Sequence, residues 1–158
     1  GIQDKLFLGN LDAKRDWGHA KEYVELMWLM LQHKEPIDLV AATSVQKSIR
    51  EFIEICCDYL GLEIEWNGKG LSEVCKVKKV IPNKLNKDCQ IKKGHIIIKI
   101  SEEYFRASEV NTLLGDASLA KKTLGWEPKL DINYIAKEMI DNDCKLANDE
   151  FLIKSKNK

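Results

Sequence analysis

Apolar side chains recur at spacings of three and four positions in several parts of the chain, and this pattern predicts amphipathic helices. The clearest runs are Trp17–Gln32, with Asp16 as the candidate N-cap, and about Asp131–Asn148. A shorter helix is expected over Asp116–Leu124, with its first residue as the cap and Gly125 as the stop. These helices account for much of the apolar content of the chain.

The segment from Ser48 to Gly61 carries the strongest local helix signal. Ser48 is a favourable N-cap, and Glu51, three residues later, completes a capping-box pattern. Apolar positions continue at helical spacing as far as Leu60, and the following glycine is the residue type that most often ends a helix. We therefore expect a helix between these two residues.

Three other runs have the character of strands. Ile37–Thr43 is almost continuously apolar, which is typical of a strand buried on both faces of a parallel sheet. Leu62–Trp66 alternates apolar and acidic residues, and His95–Ile100 is rich in β-branched residues. The lysine-rich stretch Lys76–Lys93 between the last two is interpreted as a solvated loop. This order of elements indicates the α/β class.

Composition narrows the classes of protein. The chain has 158 residues, 44% of them hydrophobic, and a net charge of zero, as expected for one ordinary domain and not for a nucleic-acid-binding protein. Its five cysteines have no CxxC spacing and its three histidines have no metal-ligand spacing, so reduced structural thiols and no metal site are expected. No apolar run reaches membrane-spanning length.

The segment Gly9–Val24 is the most informative part of the chain. A turn-forming Gly-Asn pair leads into a charged cluster and then into the first predicted helix. That order would place Arg15 and free backbone N–H groups at a helix N-terminus, where a bound anion is stabilised.

The amino-acid sequence of this segment and of four later blocks resembles that of the GDP-mannose 4,6-dehydratases, members of the extended short-chain dehydrogenase/reductase family. The similarity runs from about Leu8 to Asp143, which is nearly the whole chain. The blocks, in order, are GNLDAKRDWGHAKEYV from Gly9, SIREF from Ser48, EYFRASEV from Glu103, LGDASLA from Leu114 and LGWEP from Leu124. The first is the most specific, whereas the last is common to many extended reductases.

The resemblance implies a fold that is incomplete by itself. We expect an α/β structure corresponding to the C-terminal part of an NAD(P)-binding, Rossmann-like extended reductase. This part would comprise the last parallel strand or strands and a small α/β substrate-binding lobe. Residues 1–150 would form the GDP-sugar-binding domain, lacking the N-terminal Rossmann part, and residues 151–158 a frayed tail.

The resemblance also implies an activity for the parent enzyme, the NADP-dependent conversion of GDP-mannose to GDP-4-keto-6-deoxy-mannose. In the family, the cofactor-binding turn and the catalytic Thr/Ser, Glu and Tyr-x-x-x-Lys lie in the N-terminal part. We therefore expect no catalytic, cofactor-binding or metal-binding residue in this chain, and no activity from the chain alone. The expected partners are GDP-mannose or a related GDP-sugar and, in the full-length form, further copies in a homo-oligomer. No nucleic-acid or membrane partner is expected, and the expected location is cytoplasmic.

Two arginines are the first candidates for the diphosphate, because the planar guanidinium binds two phosphate oxygens at once. By resemblance these are Arg15 and Arg106; otherwise each would be a surface arginine paired with Asp16 or Glu109. Glu109, on the same helical face as Arg106, could accept hydrogen bonds from the ribose or guanine, or could simply complement a helix dipole.

Three further residues are weaker candidates for the substrate site. Asn10 and Lys14 could contact guanine or ribose, although Asn10 also suits a turn. Arg50 could reach the pyrophosphate or could pair with Glu54, four residues later.

Departures from the family pattern leave other functions open. Ala107 replaces a usual proline, and Ser44 replaces a usual glycine after the Ile37–Thr43 strand. A GDP-heptose dehydratase is a close alternative, and a non-catalytic GDP-sugar-binding module or a ligand-free remnant belongs to another class. A basic nucleic-acid-binding module is the third choice.

Overall fold

The computed structural model describes residues 3–81, 89–106 and 110–156, and its strands and helices alternate along the chain. The elements are β1 (Leu6–Leu8), β2 (Lys14–Asp16), α1 (Ala20–Gln32), β3 (Gln46–Ser48), α2 (Ile49–Leu60), β4 (Leu62–Asn67), β5 (Val74–Val80), β6 (Ile96–Ile100), α3 (Ser118–Leu124) and α4 (Ile132–Lys156). Short 3-10 turns lie at Gly70–Ser72 and Glu102–Tyr104.

Two sheets organise these elements. The larger has the strand order β1-β6-β5-β4, with β1 parallel to β6 and the other neighbours antiparallel. The smaller pairs β2 with β3 antiparallel, so that Lys14 lies opposite Ser48. A mixed sheet flanked by helices confirms the predicted α/β class.

Two clusters of buried side chains form the core of the described residues. The first joins α1 to α3 and is built from Leu26, Ala42, Ala117, Ala120 and Trp126. The second lies between α2 and the β4–β5 hairpin and is built from Cys57, Leu62 and Val77. Burial of apolar area in these clusters is the main favourable contribution to the fold.

The helix from Ser48 is confirmed in detail. The Ser48 hydroxyl accepts from the Glu51 N–H, and the Glu51 carboxylate accepts in return from the Ser48 N–H. Gly61 ends α2 in the left-handed conformation, with φ of 76°. Both ends of α2 are therefore fixed by residues that the sequence itself identifies.

The start of the first helix differs from the prediction. The structure begins α1 at Ala20, and the N-cap is His19, whose Nδ1 accepts from the Lys21 N–H. The predicted N-cap, Asp16, instead belongs to β2. Pairing of β2 with β3 keeps Asp16 extended. The next residue, Trp17, is held in place because its ring stacks on Phe52, with 4.6 Å between the ring centres.

The predicted strand Ile37–Thr43 is not formed as a strand within the described residues. A strand requires a neighbouring backbone for its hydrogen bonds. None of the strands in the described ranges pairs with this segment in a sheet, although Ala42 is buried in the first cluster.

The prediction of a solvated loop over Lys76–Lys93 is wrong for its first part. Val74–Val80 is strand β5, bonded to β4 on one side and β6 on the other. Cys75 and Val77 are buried while their neighbours are more accessible, so β5 alternates in the manner of a half-buried strand. Lys84 and Lys87 lie outside the described residues.

The last two helices follow the prediction with two changes. The predicted cap of α3, Asp116, is not its N-cap, because the helix begins at Ser118 and Ala117 takes the cap position without a side-chain bond; Asp116 accepts from the Ser118 N–H from one residue further back. Gly125 ends α3 as predicted, with φ of 67°. Asp131 accepts from the Tyr134 N–H at the start of α4, which then continues to Lys156, past the predicted end at Asn148. The helix extends because no glycine or proline interrupts it.

Candidate functional site

The structure brings the opening block and the block after β6 side by side. The Ser101 N–H donates to the Leu8 carbonyl at 2.9 Å. Further along, the Lys14 N–H donates to the Asn111 carbonyl at 2.8 Å, and the Leu113 N–H donates to the Lys14 carbonyl at 3.2 Å. The two blocks that carry most candidate residues are therefore joined through their backbones.

Gly9 permits this close approach. A Cβ atom at this position would collide with the carbonyl of Tyr104, a backbone group that cannot swing aside. The glycine at the start of the opening block is thus required by packing.

Arg15 lies at the junction of the two blocks. It belongs to β2 and not to a helix N-terminus, so the predicted local geometry is wrong, because the helix begins only at Ala20. Its Nη1 donates to the carbonyls of Lys14 and Val110, each at 2.8 Å. The half-buried guanidinium is therefore held against the chain that follows Arg106.

The other two candidates of the opening block differ in their surroundings. The Asn10 Oδ1 accepts from the Asp12 N–H at 2.9 Å, which is the turn role that the sequence left open. Lys14 has an exposed side chain on the first residue of β2. Both lie within a few residues of Arg15 along the chain.

Arg50 makes the most extensive polar contacts of the candidates. Nη1 and Nη2 bind the Glu73 carboxylate at 2.7 and 3.1 Å, and Nε and Nη2 bind Asp12 Oδ1 at 3.1 and 3.0 Å. The guanidinium also lies 4.7 Å from the centre of the Trp66 ring. The carboxylate of Glu73, followed by that of Asp12, raises the pKa of Arg50. Glu54, the predicted partner, instead accepts from the Trp66 indole.

The later block is described only in part. Arg106 has an exposed side chain after the Glu102–Tyr104 turn. Glu109 and Ala107 lie outside the described residues, so the expected pairing of Arg106 with Glu109 on one helical face stays a prediction.

Asp16, which the sequence analysis predicted as an N-cap, has a different role in this region. One carboxylate oxygen accepts from the Thr43 N–H at 2.7 Å and from its hydroxyl at 2.6 Å, and the other accepts from the Ser44 N–H at 2.9 Å. Ser44 has φ of 59°, a conformation that glycine adopts more easily. The serine in place of the family glycine was the available signal, and Asp16 compensates by fixing this turn.

The two buried thiols, Cys57 and Cys75, are structural. Burial raises the pKa of Cys57 to about 12 and that of Cys75 to about 11, so both stay protonated and poorly nucleophilic. Within the described ranges, no group of histidine, cysteine, aspartate and glutamate side chains is arranged to hold a metal ion.

The fold recurs in solved structures. The chain superposes on RMD from Pseudomonas aeruginosa complexed with NADPH with a TM-score of 0.56 at 17% identity, covering 84% of this chain and 33% of that one. It also superposes on the UDP-glucose-4-epimerase of Stenotrophomonas maltophila, with a TM-score of 0.56 at 16% identity, covering 86% and 34%. The fold is that of part of an extended short-chain dehydrogenase/reductase.

Sequence relatives then define the family. The model of the GDP-mannose 4,6 dehydratase family matches residues 1–139. The GDP-mannose 4,6-dehydratase of Vibrio cholerae serotype O1 is 50% identical over 154 residues, covering 98% of this chain and 40% of the relative. The human GDP-mannose 4,6 dehydratase is 42% identical over 139 residues, covering 88% and 34%. This chain belongs to the GDP-mannose 4,6-dehydratase family and spans about 40% or less of the length of these two relatives.

Proposed function

We propose that this chain supplies the GDP-sugar-binding part of a GDP-mannose 4,6-dehydratase, a lyase that forms GDP-4-keto-6-deoxy-mannose. The observation that carries the proposal is the backbone pairing of Lys14 with Asn111 and Leu113, because it attaches the opening block to the segment that follows the Arg106 block. We infer that Arg15 and Arg106 together neutralise the two charges of the diphosphate.

Each candidate has a role in this proposal. Arg15 and Arg106 bind the diphosphate, and Glu109 accepts from the ribose hydroxyls or the guanine edge. Asn10 and Lys14 contact guanine or ribose. Arg50 supports the site from the start of α2.

The cofactor of the proposed parent enzyme is NADP, and the described residues do not fit it. A dinucleotide pyrophosphate needs a Gly-rich turn between a strand and a helix. In the described ranges, β1 is followed by Gly9 and then by β2, not by a helix. The sequence also lacks a tyrosine with a lysine four positions later. We therefore propose that the chain alone is inactive.

The assembly and location of the parent enzyme belong to the same proposal. We expect the full-length protein to form a homo-oligomer in the cytoplasm. Within the described part of the chain, every helix is too short or too polar to cross a membrane.

Calorimetric titration tests the binding proposal. The chain is titrated with GDP, GDP-mannose and UDP, and the variants Arg15→Ala and Arg106→Ala are compared with Lys122→Ala, an exposed cation on α3. Losing a charged hydrogen bond costs about 1.5–3 kcal/mol, so each arginine variant should weaken GDP binding by tenfold or more, and the control should not. Equal affinity for UDP, or no change in the arginine variants, would contradict the proposal.

A turnover assay tests the expected inactivity. The chain is incubated with GDP-mannose and NADP, and formation of the 4-keto product is followed. We expect none, and product formation above the protein-free control would show that catalytic groups are present in this chain.

A further inference from the structure

Arg50 stands two residues after the Ser48 N-cap, in the first turn of α2, and faces the opening block. We propose that Arg50 is a positioning residue that holds residues 10–13 in the shape the GDP-sugar site requires, acting through Asp12 and not by touching the diphosphate. This assignment rests on the proposed function.

The guanidinium is already committed to protein partners. Nε, Nη1 and Nη2 all donate to carboxylate oxygens, and Nη2 contacts both Asp12 and Glu73. The two carboxylates leave this cluster with one net negative charge, which opposes the approach of a diphosphate. Four of the five N–H donors of Arg50 are directed at these carboxylates, which leaves one Nη1 N–H for any further acceptor.

The cluster is also fixed from the far side. The Glu73 side chain is only 13% exposed, and the Trp66 ring that lies against Arg50 is held by the indole N–H, which donates to Glu54 at 2.9 Å. The orientation of Arg50 is therefore set by β4 and the turn after it. Arg50 therefore provides a fixed point to which the opening block is bonded.

Residues 10–13 are hydrogen-bonded to the start of α2 at several points. The Arg50 N–H donates to the Leu11 carbonyl at 3.0 Å, and the Ile49 N–H donates to the Ala13 carbonyl at 3.4 Å. Leu11 and Ala13 are buried, at 3% and 2% exposure. The Arg50 side chain adds the contact to Asp12, whose own N–H donates to the Asn10 side chain.

The order of residues 10–13 affects the proposed ligand-binding residues because they adjoin one another in the chain. Asn10 begins this segment, and Lys14 and Arg15 follow it directly in β2. Release of Asp12 would loosen the turn on which Asn10 sits and the entry to β2. The ligand would then bind to a less ordered site and therefore more weakly.

The variant Asp12→Ala distinguishes a positioning role of Arg50 from direct contact between Arg50 and the diphosphate. If Arg50 touched the diphosphate, removal of the neighbouring carboxylate would free a cation and tighten GDP-mannose binding. If Arg50 acts through Asp12, the same change weakens binding. The Asp12 side chain is 77% exposed, so its truncation should leave the fold intact.

The experiment measures the GDP-mannose affinity of the full chain and of Asp12→Ala, Arg50→Met and the double variant. We expect each single change to weaken binding about three- to tenfold, and the double variant to be no weaker than the weaker single one, because both remove one contact. Glu63→Gln, which alters an exposed ion pair with Lys79 outside this cluster, is the matched control and should change affinity less than twofold.

Amide hydrogen exchange provides a readout without ligand. In Asp12→Ala, the Arg50 amide bonded to Leu11 should exchange several-fold faster, whereas the Val77 amide, bonded to the His95 carbonyl, should not change. Unchanged or tighter GDP-mannose binding by Asp12→Ala would overturn the positioning role while the proposed function stands. Failure of the unaltered chain to bind GDP-mannose would overturn the proposed function, and this assignment with it.

Discussion

Glu22 joins α1 to the loop before α4, and its removal should destabilise the fold measurably. The residue is 8% exposed, and its carboxylate accepts from the Lys129 N–H at 2.6 Å and from the Leu130 N–H at 3.2 and 3.3 Å. Glu22→Ala would leave two backbone donors without this acceptor in a partly buried place. Each such donor costs about 1–3 kcal/mol, and partial exposure favours the lower part of that range.

The expected loss is therefore about 2–4 kcal/mol in the free energy of unfolding. For a chain of this size, 1 kcal/mol corresponds to about 2–4 °C in Tm, so the transition should fall by roughly 5–15 °C. Glu22→Gln keeps one carbonyl acceptor and loses only the charge, so it should cost about 1 kcal/mol.

Circular dichroism during thermal and urea unfolding provides the assay. Glu25→Ala, an exposed glutamate on the same helix, is the matched control and should stay within about 0.5 kcal/mol of the unaltered chain. If Glu22→Ala were as stable as this control, the carboxylate would not hold the loop, and the reasoning would be refuted.

Three further predictions concern stability and can be checked by the same unfolding assays. The Lys47 ammonium, together with a backbone N–H, lowers the pKa of Glu51 to about 2, so its contribution is present above the usual glutamate pKa and is lost as the pH falls toward 2. The carboxylate is largely exposed, which limits this contribution to about 1 kcal/mol, and Glu51→Gln should remove that part of the acid dependence. Ser44→Gly should raise stability by up to about 1 kcal/mol, because φ of 59° suits glycine, and a lower stability would contradict the account of this turn. Gly9→Ala should cost about 1–3 kcal/mol, because its Cβ meets the Tyr104 carbonyl, and an unchanged Tm would show that the two segments can separate freely.

Local signals predicted the elements that are fixed locally. The capping box of Ser48 and Glu51 and the left-handed Gly61 set the ends of α2 with no help from distant residues. The strands with β-branched or alternating apolar residues, β4 and β6, were found for the same reason. Gly125, which ends α3 in the left-handed conformation, was predicted in the same way.

Elements fixed by pairing were not predicted from the sequence. β5 contains several lysines, and only its position between β4 and β6 makes it a strand. Asp16 resembles an N-cap until the β2–β3 ribbon and the Thr43–Ser44 turn are both in place.

The candidate site divides in the same way. The sequence identified Arg15 and Arg50 as residues of interest, because their blocks resemble a family. Their partners, the Val110 carbonyl and the Glu73 carboxylate, are far away along the chain and become neighbours only through the fold. A pattern within one helix, such as the predicted pair of Arg50 with Glu54, cannot reveal such contacts.

A map of backbone amide shifts by NMR, recorded as GDP-mannose is added to the chain, tests the central claim most directly. We expect saturable shifts concentrated in residues 10–15 and 104–113, and little change in the amide shifts of the β5 lysines. Shifts confined to the β5 lysines and the basic segment after them, or no saturable shifts at all, would contradict the claim that this chain carries the GDP-sugar-binding part of the enzyme.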